Sequence, residues 1–359
     1  MMTVETHDWA EIERTFPYAE AMRHCVQDPV HHAEGDVLTH IKMIMDALNS
    51  DDRALRLAVL YHDCMKPATR VVEYDAEQQR KVVRHPNHAH KGAAVAWHDL
   101  WLAGEALDTR LAVYWMCLWH QRVFHIWEQD DMMRFALSYA YVGSWPKLIE
   151  FARADNAGRI CANQRQANDN LDLLEEFLDD RDRPRIDAKF FATEHDRLFY
   201  FEKDGRSPYY EAQEPSGSRV IILCGLPAAG KDSHCTRLLG GIATVSLDSI
   251  RNQLNIAPEH NQGRVIQAAF EQARACLRER RPFVWNAQCV TRQARDKIIR
   301  LCRAYDAHVT IHAFDRPLPT ILAQNRCRER QVPQAVILAA ARKWEPPSLL
   351  EAHRVEWIR

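Results

Sequence analysis

The sequence predicts a protein of two domains, an all-α helical domain followed by an α/β domain built on a parallel sheet. The chain has 359 residues, which is long for one hydrophobic core and suits two domains of ordinary size. From about residue 9 to residue 182, apolar residues recur at spacings of three and four, the period of amphipathic helices. After about residue 215, short β-type runs alternate with helical stretches, as expected of parallel strands joined by crossover helices.

The region between the two patterns is interpreted as a linker. Residues 171–182 carry acidic side chains around four leucines, which predicts a surface helix that closes the first domain. After Pro184 comes a mixed segment that ends in the polar string EPSGS at 214–218. We therefore expect a first domain over 1–185, a linker over 186–215 and a second domain over 216–359.

Composition indicates a folded, water-soluble protein that needs no membrane. The hydrophobic and charged fractions are 47% and 27%, and the longest apolar run, Leu111–Trp119, is far shorter than the roughly 20 residues that span a bilayer. The first 20 residues lack the apolar core of a secretory signal, so a cytoplasmic location is expected. The ten cysteines form no CxxC pair, which argues against a zinc ribbon or a disulfide framework.

Charge points to the second half of the chain as the place for a polyanion. The formal net charge is -2, which gives no overall attraction to nucleic acid. Residues 281–330, however, hold nine arginines and one lysine against four acids. A site for a phosphate-rich ligand is therefore expected in the C-terminal half.

Histidines cluster in the first domain, where twelve of the 18 precede residue 126. The central signal is LAVLYHDCMK at 57–66, in which an apolar helix leads into an adjacent histidine and aspartate. Imidazoles and carboxylates from separate helices suit a first-row divalent metal. The candidate ligands are His40, His62, Asp63, His88, His120 and Asp155.

The order and flanks of these residues resemble the HD-domain phosphohydrolases. YHDCMKP is similar to the H-D-x-x-K-P form that ends a helix in that family. HPNHAHKGAAVA is similar to its H-x-x-x-G-A helix start and selects His88, and RADNAGR is similar to its final A-D-x-x-G segment and selects Asp155. The alternative is a set of structural histidines, or a degenerate regulatory HD domain.

The resemblance implies roles for these residues. His40, His62, Asp63 and Asp155 would hold one divalent transition metal, and His88 and His120 would hold a second metal or bind the scissile phosphate. Such an ion would activate water and polarise the phosphoryl oxygen. The flanking cations Lys66 and Arg159 would neutralise phosphate charge.

The second domain opens on a phosphate-binding motif, VIILCGLPAAGKD at 220–232. Gly225 and Gly230 permit the turn whose N–H groups cradle phosphates, and Lys231 reaches the β and γ oxygens of ATP or another NTP. Asp232 stands where serine or threonine normally contacts Mg²⁺. Asp232 would contact the ion directly or through water, or Ser233 would serve instead.

Two further motifs indicate phosphoryl transfer to a hydroxyl. In TVSLDSIR at 244–251, Asp248 would position and deprotonate the acceptor hydroxyl, and Arg251 would hold a neighbouring phosphate; the alternative is a helix cap with a surface arginine. NRCRERQVP is interpreted as a lid that stabilises the transferring phosphoryl group, or alternatively as a solvated helix face. The arginines of this lid are Arg326, Arg328 and Arg330.

With WNAQCVTRQAR at 285–295, which holds an N-A-x-x-x-T-R string, residues 219–359 resemble the polynucleotide 5′-hydroxyl kinases. The order of the two modules resembles the bacterial HD-Pnk type of RNA end-healing enzyme. That resemblance implies a kinase that uses an NTP and Mg²⁺ on 5′-hydroxyl RNA or DNA ends, and a phosphoesterase that removes 2′,3′-cyclic, 3′- or 2′-phosphates. It also implies a polynucleotide ligase as a pathway partner. The alternative is a small-molecule or nucleotide kinase fused to a nucleotide phosphohydrolase.

Overall fold

A computed structural model describes residues 8–238, 240–257, 260 and 262–359, so the first seven residues of the predicted first domain lie outside it. The chain divides into two compact units; one ends at Phe190 and the other runs from Phe191 to Arg359. Each unit is described by itself. Within the described residues, no helix is long and apolar enough to cross a membrane.

The first unit is helical, as the sequence predicts. Its elements are α1 (Trp9–Thr15), α2 (Ala19–Arg23), α3 (Val37–Ala47), α4 (Arg53–Tyr61), α5 (Lys66–Thr69), β1 (Val71–Asp75), β2 (Arg80–Arg84), α6 (His88–Leu102), α7 (Leu107–Trp119), a 3₁₀ helix (Arg122–Glu128), α8 (Met132–Ala140), α9 (Trp145–Ala157) and α10 (Gln164–Leu178).

An antiparallel hairpin of β1 and β2 corrects the all-α prediction. Its strands carry consecutive valines, which favour extended backbone. The turn between them is held by Asp75, which accepts the N–H groups of Glu77 and Gln78. Only one residue of the two hairpin strands, Val82, is buried. The strands therefore lack the apolar pattern of a buried strand, and the helical spacing of the surrounding sequence dominates the prediction.

Two capped helices of this unit carry key side chains. Asp36 accepts the N–H of Thr39 and starts α3, which buries His40 on its apolar face. Asp52 caps α4, whose residues Ala54–Tyr61 are all buried. Since α4 ends at Tyr61, His62 and Asp63 stand at its C-terminal end in the interior.

The second unit has the predicted α/β architecture. Its elements are α11 (Glu194–Glu202), β3 (Arg219–Cys224), α12 (Lys231–Leu238), β4 (Ala243–Ser246), α13 (Leu247–Leu254), α14 (Gln262–Arg278), β5 (Phe283–Asn286), α15 (Arg292–Arg303), β6 (His308–Phe314), α16 (Leu318–Arg326), α17 (Gln334–Arg342) and β7 (Arg354–Ile358).

Five strands among the described residues form a parallel sheet in the order β4-β5-β3-β6-β7. The prediction of a parallel sheet is thereby confirmed. From the central strand β3 the chain crosses to β4 at one edge and returns to β5 beside β3. It then crosses to β6 on the other side of β3 and ends in β7 at the opposite edge. Ligands of such sheets bind beyond the carboxyl end of the strand at which the order reverses, which here is the end of β3.

The segment predicted as a linker, 186–215, contains α11, which belongs to the second unit. Thr193 and Asp196 form a capping box at its start. The buried Arg197 donates hydrogen bonds to the carbonyls of Leu349, Ala352 and His353 at 2.6–3.1 Å. These bonds tie α11 to the segment that leads into β7.

Candidate functional sites

The six predicted metal ligands meet in the interior of the first unit. Each is buried, with no more than 3% of its surface exposed. They come from separate elements: His40 from α3, His62 and Asp63 from the end of α4, His88 from the start of α6, His120 from the end of α7, and Asp155 from α9.

Asp63 lies between two groups of these ligands. Its Oδ2 is 3.3 Å from His62 Nε2 and 3.8 Å from His40 Nε2, and its Oδ1 is 3.2 Å from His88 Nε2 and 3.6 Å from His120 Nε2. His40 Nε2 is also 3.0 Å from Asp155 Oδ1. The ligand atoms of His40, His62 and Asp63, and those of Asp63, His88 and His120, form two groups compact enough for a metal ion.

The four histidines share one orientation. In each, Nδ1 faces a backbone carbonyl: Gly158 for His40 at 3.0 Å, Val59 for His62 at 2.9 Å, His85 for His88 at 2.6 Å and Cys117 for His120 at 2.7 Å. A carbonyl only accepts hydrogen bonds, so Nδ1 carries the proton in each ring. The Nε2 atoms therefore face the common centre, which is how proteins orient histidines to bind metal.

Unpaired atoms and protonation states also fit a cation. His62 Nε2 and Asp63 Oδ1 are buried without a hydrogen-bond partner among the described residues. Burial lowers the pKa of His120 well below its usual value, so that this ring is neutral. Burial alone would raise the pKa of Asp63, but the neighbouring His62 and Lys66 hold it well below its ordinary value. Neutral imidazole and ionised carboxylate are the metal-binding forms.

The two predicted phosphate-neutralising cations instead contact the carboxylates. Lys66 Nζ is 2.6 Å from Asp63 Oδ2 and 2.6 Å from the amide oxygen of Gln27. Arg159 forms an ion pair with Asp155. Sequence reasoning did not find Gln27, which lies 39 positions before Lys66 and carries no motif.

The phosphate-binding loop connects β3 to α12 at the reversal point of the sheet. A Cβ at Gly225 would lie 2.8 Å from Phe314 Cβ, and Gly230 has φ +91°, so glycine is required at both positions. Lys231 Nζ donates to the carbonyl oxygens of Gly225 at 3.0 Å and Leu226 at 2.7 Å. The lysine thus folds back over the loop that phosphates would occupy.

Asp232 has a partner that the motif does not reveal. The Asn286 side chain, at the carboxyl end of β5, donates to Asp232 Oδ1 at 2.7 Å. This bond fixes one oxygen of the carboxylate and leaves the other for a ligand. Ser233 is exposed on the next position of α12.

Two cavities share Lys231 and Asp232 in their linings. Cavity A, of about 500 Å³, is lined by Asp248 and Arg251 and by the aromatic side chains Phe270 and Trp285. Cavity B, of about 550 Å³, is lined by residues of the loop and of α12, including Gly230 and Ser233, and by Arg316, Gln324 and Cys327. Lys231, Asp232 and Arg328 line both cavities. The two cavities therefore adjoin at these three side chains.

Asp248 and Arg251 stand together on α13, where the predicted D-x-x-R places them. Their side chains form an ion pair, and the Asp248 side chain remains 72% exposed to the cavity. Arg251 Nε also donates to Gln262 Oε1 at 2.8 Å. The cap of α13 is Ser246, whose hydroxyl accepts the N–H of Ser249, so Asp248 is not needed for that role.

Of the three lid arginines, the structure brings one to the cavities. Arg328 is half-buried and lines both cavities, whereas Arg326 and Arg330 are exposed and line neither. The Asn325 side chain bonds the backbone of Val332 at 2.8 and 3.0 Å and so closes the loop that holds Arg328. Among the described residues, Arg328 has no ion-pair partner that would compete with a phosphate.

The arginines therefore should not contribute equally to phosphoryl transfer. We expect Arg328→Ala to lower kcat about 100-fold or more, because a positioned donor to a transferring phosphoryl group contributes roughly that much. Arg326→Ala and Arg330→Ala are matched controls expected to remain within about threefold of wild type. Steady-state transfer from labelled ATP measures the difference; equal losses in all three variants would show that the lid acts only through its summed charge.

Burial lowers the pKa of Lys231 to about 8. Bound phosphates would raise it again, so nucleotide binding should take up a proton above pH 8. The dissociation constant for ATP is then expected to rise about fivefold between pH 8 and pH 9. Calorimetric titration over pH 7–9 measures this slope, and Lys231→Arg, which stays charged, should flatten it. A slope unchanged by that substitution would contradict the assignment.

Comparison with known proteins identifies the C-terminal part. Residues 220–347 match a family described as an AAA domain. This range includes the phosphate loop, the side chains that the two cavities share, and the lid. Together with the sheet order and the loop, this shows a P-loop kinase-like domain, and hence a domain that takes an NTP with Mg²⁺.

A second likeness is local. The chain is 36% identical over 83 residues to the multifunctional CCA protein of Halorhodospira halophila, a match that covers 23% of this chain and 18% of that protein. The chain thus spans less than a fifth of the length of this curated relative.

Proposed function

We propose that the protein is a bifunctional nucleic-acid end-healing enzyme. The kinase-like domain phosphorylates 5′-hydroxyl ends with an NTP and Mg²⁺, and the His/Asp centre removes 2′,3′-cyclic, 3′- or 2′-phosphates with a divalent transition metal. The observation that carries the proposal is the meeting of two cavities at Lys231, Asp232 and Arg328, because it provides separate places for a phosphate donor and a hydroxyl acceptor.

In the kinase reaction, cavity B holds the NTP and cavity A holds the acceptor end. The exposed Asp248 carboxylate accepts the proton of the 5′-hydroxyl as that oxygen bonds to the γ-phosphorus. The bond from the γ-phosphorus to the bridging oxygen breaks, and NDP leaves. Lys231 and Arg328 balance the negative charge on the group in transit.

Asp232 takes part through charge and position. With one oxygen held by Asn286, its other oxygen would be free to contact the Mg²⁺ that accompanies the NTP, directly or through water. Ser233 is the alternative contact on the same helix.

In the phosphoesterase reaction, the residues of the first unit hold the ligand centre rigid. A divalent cation bound there would supply a Lewis acid for the phosphoryl oxygen and an activated water. Lys66 and Arg159 keep Asp63 and Asp155 ionised and oriented through their ion pairs. Attack of water on phosphorus opens a cyclic phosphate to a monoester, and a second hydrolysis releases inorganic phosphate and leaves a hydroxyl end.

A polymer is favoured as the substrate by charge. The surplus of basic residues in 281–330 includes Lys297, which lines cavity A together with Arg251 and Arg328. The resulting 5′-phosphate and 3′-hydroxyl ends are those that a polynucleotide ligase joins, so a ligase is proposed as the pathway partner. A small-molecule or nucleotide kinase is the second candidate, because cavity A is also large enough for a single nucleoside.

Competition for the labelled phosphate tests the proposal. With equal concentrations of a 5′-hydroxyl oligonucleotide, a nucleoside and glycerol, transfer from ATP to the oligonucleotide should exceed the other two at least tenfold. Preferential transfer to the nucleoside would reject the polymer substrate in favour of the second candidate. Transfer to glycerol above both would favour a small-molecule kinase.

A further inference from the structure

One ligand histidine, His40, has a contact that the other three lack. Besides the carbonyl of Gly158, its Nδ1 faces Oε1 of Glu34 at 3.2 Å. The Glu34 side chain is only 1% exposed. Nothing in the sequence motifs points to Glu34, which lies in the segment before α3.

Glu34 also joins two elements that supply ligands. Its Oε2 accepts the backbone N–H of Ile160 at 2.8 Å, just beyond the end of α9, which carries Asp155. The N–H of Ala33 donates in turn to the carbonyl of Ile160 at 2.9 Å. The ligand atoms of His40 and Asp155 lie 3.0 Å apart. The Glu34 carboxylate and the backbone of Ala33 thus connect the segment before His40 to the end of α9, on the side away from the ligand atoms.

A third donor completes the surroundings of Glu34. His32 Nδ1 lies 2.7 Å from the same Oε1 that faces His40. A carboxylate on Nδ1 keeps the proton there and makes Nε2 a stronger electron donor.

We propose that Glu34 is a positioning residue of the metal centre: together with the carbonyl of Gly158 it holds Nδ1 of His40, and by orienting this ring it sets the affinity of the centre for a divalent cation. The inference rests on the proposed metal-dependent activity. His62, His88 and His120 are oriented by backbone carbonyls, which side-chain substitutions leave in place; Glu34 is a side chain and is open to direct test.

The test is binding of Mn²⁺ alone to the full chain by calorimetry. Glu34→Ala is expected to weaken binding about 10- to 100-fold, the usual cost of losing a partner that orients a ligand. Glu34→Gln, which keeps an oxygen for Nδ1 but no charge, should fall between that variant and wild type. Glu20→Gln is the matched control. Glu20 makes an exposed contact to His24 at 2.9 Å, and the substitution removes one carboxylate charge, as Glu34→Gln does.

Two readouts separate positioning from simple loss of stability. With Co²⁺ in place of Mn²⁺, the visible absorption of the Glu34 variants should shift relative to wild type, because the field of the His40 ligand changes. The increase in melting temperature on adding metal should shrink in the Glu34 variants and stay at the wild-type value in Glu20→Gln. If Glu34→Ala does not fold, Glu34→Gln decides the question by the same measurements.

The outcomes separate the role of Glu34 from the metal-dependent activity on which it rests. Wild-type affinity and spectrum in both Glu34 variants, with binding lost in Asp63→Ala, would overturn the role of Glu34 and leave the metal centre standing. Absence of divalent-metal binding by the wild-type protein would overturn the metal-dependent activity and the role of Glu34 with it.

Discussion

Lys231→Ala is expected to abolish phosphate transfer to a 5′-hydroxyl end and to leave phosphate release from a 3′-phosphate end unchanged. Lys231 lines both cavities of the kinase-like domain, and its ammonium donates to carbonyls of the loop that would hold the β- and γ-phosphates. Removing it takes away charge stabilisation during transfer, so the kinase rate should fall by a factor of about 100 or more. End-labelled oligonucleotides report both activities in one sample.

The matched control is Lys343→Ala, which removes an exposed lysine of the same domain that lines neither cavity. It should leave both activities at the wild-type level. If Lys231→Ala retained kinase activity within a few-fold of wild type, the loop would not be the phosphate-transfer site.

The paired change His62→Ala/Asp63→Ala is expected to abolish phosphate release and to leave 5′ phosphorylation intact. Asp63 contacts ligand atoms of four histidines at 3.2–3.8 Å, so its loss opens both groups of the centre. It also leaves the buried Lys66 without its carboxylate partner. The rate of phosphate release from a 3′-phosphate oligonucleotide should therefore drop at least about 100-fold, as expected when a metal site is dismantled.

A second histidine–acid pair provides the control. His125 and Glu128 contact each other at 3.0 Å on the surface of the same unit, so His125→Ala/Glu128→Ala removes the same two kinds of group away from the centre. Phosphate release by this control should match wild type. Retention of release by the His62/Asp63 variant would assign that activity elsewhere in the chain.

The sequence predicts those parts of the sites that depend on short spacing. Lys231 and its glycines are fixed by one loop, and Asp248 and Arg251 by one turn of helix, so their placement follows from a few consecutive residues. The burial of His62 and Asp63 follows likewise from the apolar helix that precedes them.

The residues that sequence reasoning missed act over long separations. Gln27 and Glu34 are ordinary polar residues until the fold brings them to Lys66 and His40, which lie 39 and 6 positions further along the chain. Asn286 belongs to the N-A-x-x-x-T-R string, but that string does not predict its bond to Asp232, 54 positions earlier. Even for Glu34, the nearby His40 gives no hint of the bond to Ile160, 126 positions away.

Composition also conceals part of the fold. The acidic and aromatic segment around α11 carries no strong helical period, and its anchor is a buried charge, Arg197, satisfied by distant carbonyls. Among the lid arginines, the spacing gives three equal candidates, and only the loop closed by Asn325 distinguishes Arg328.

The proposed function requires that one chain carries two independent sites that together convert both ends of a strand. The direct measurement uses a single RNA oligonucleotide with a 5′-hydroxyl and a 2′,3′-cyclic phosphate, incubated with wild-type protein, ATP, Mg²⁺ and Mn²⁺, and mass analysis of the products. For wild type we predict a strand with a 5′-phosphate and with free 2′- and 3′-hydroxyls at the other end. Lys231→Ala should make only the 3′ change, and His62→Ala/Asp63→Ala only the 5′ change. An unchanged strand would rule out the proposed function, and the loss of both changes in either folded variant would show that the two sites are not independent.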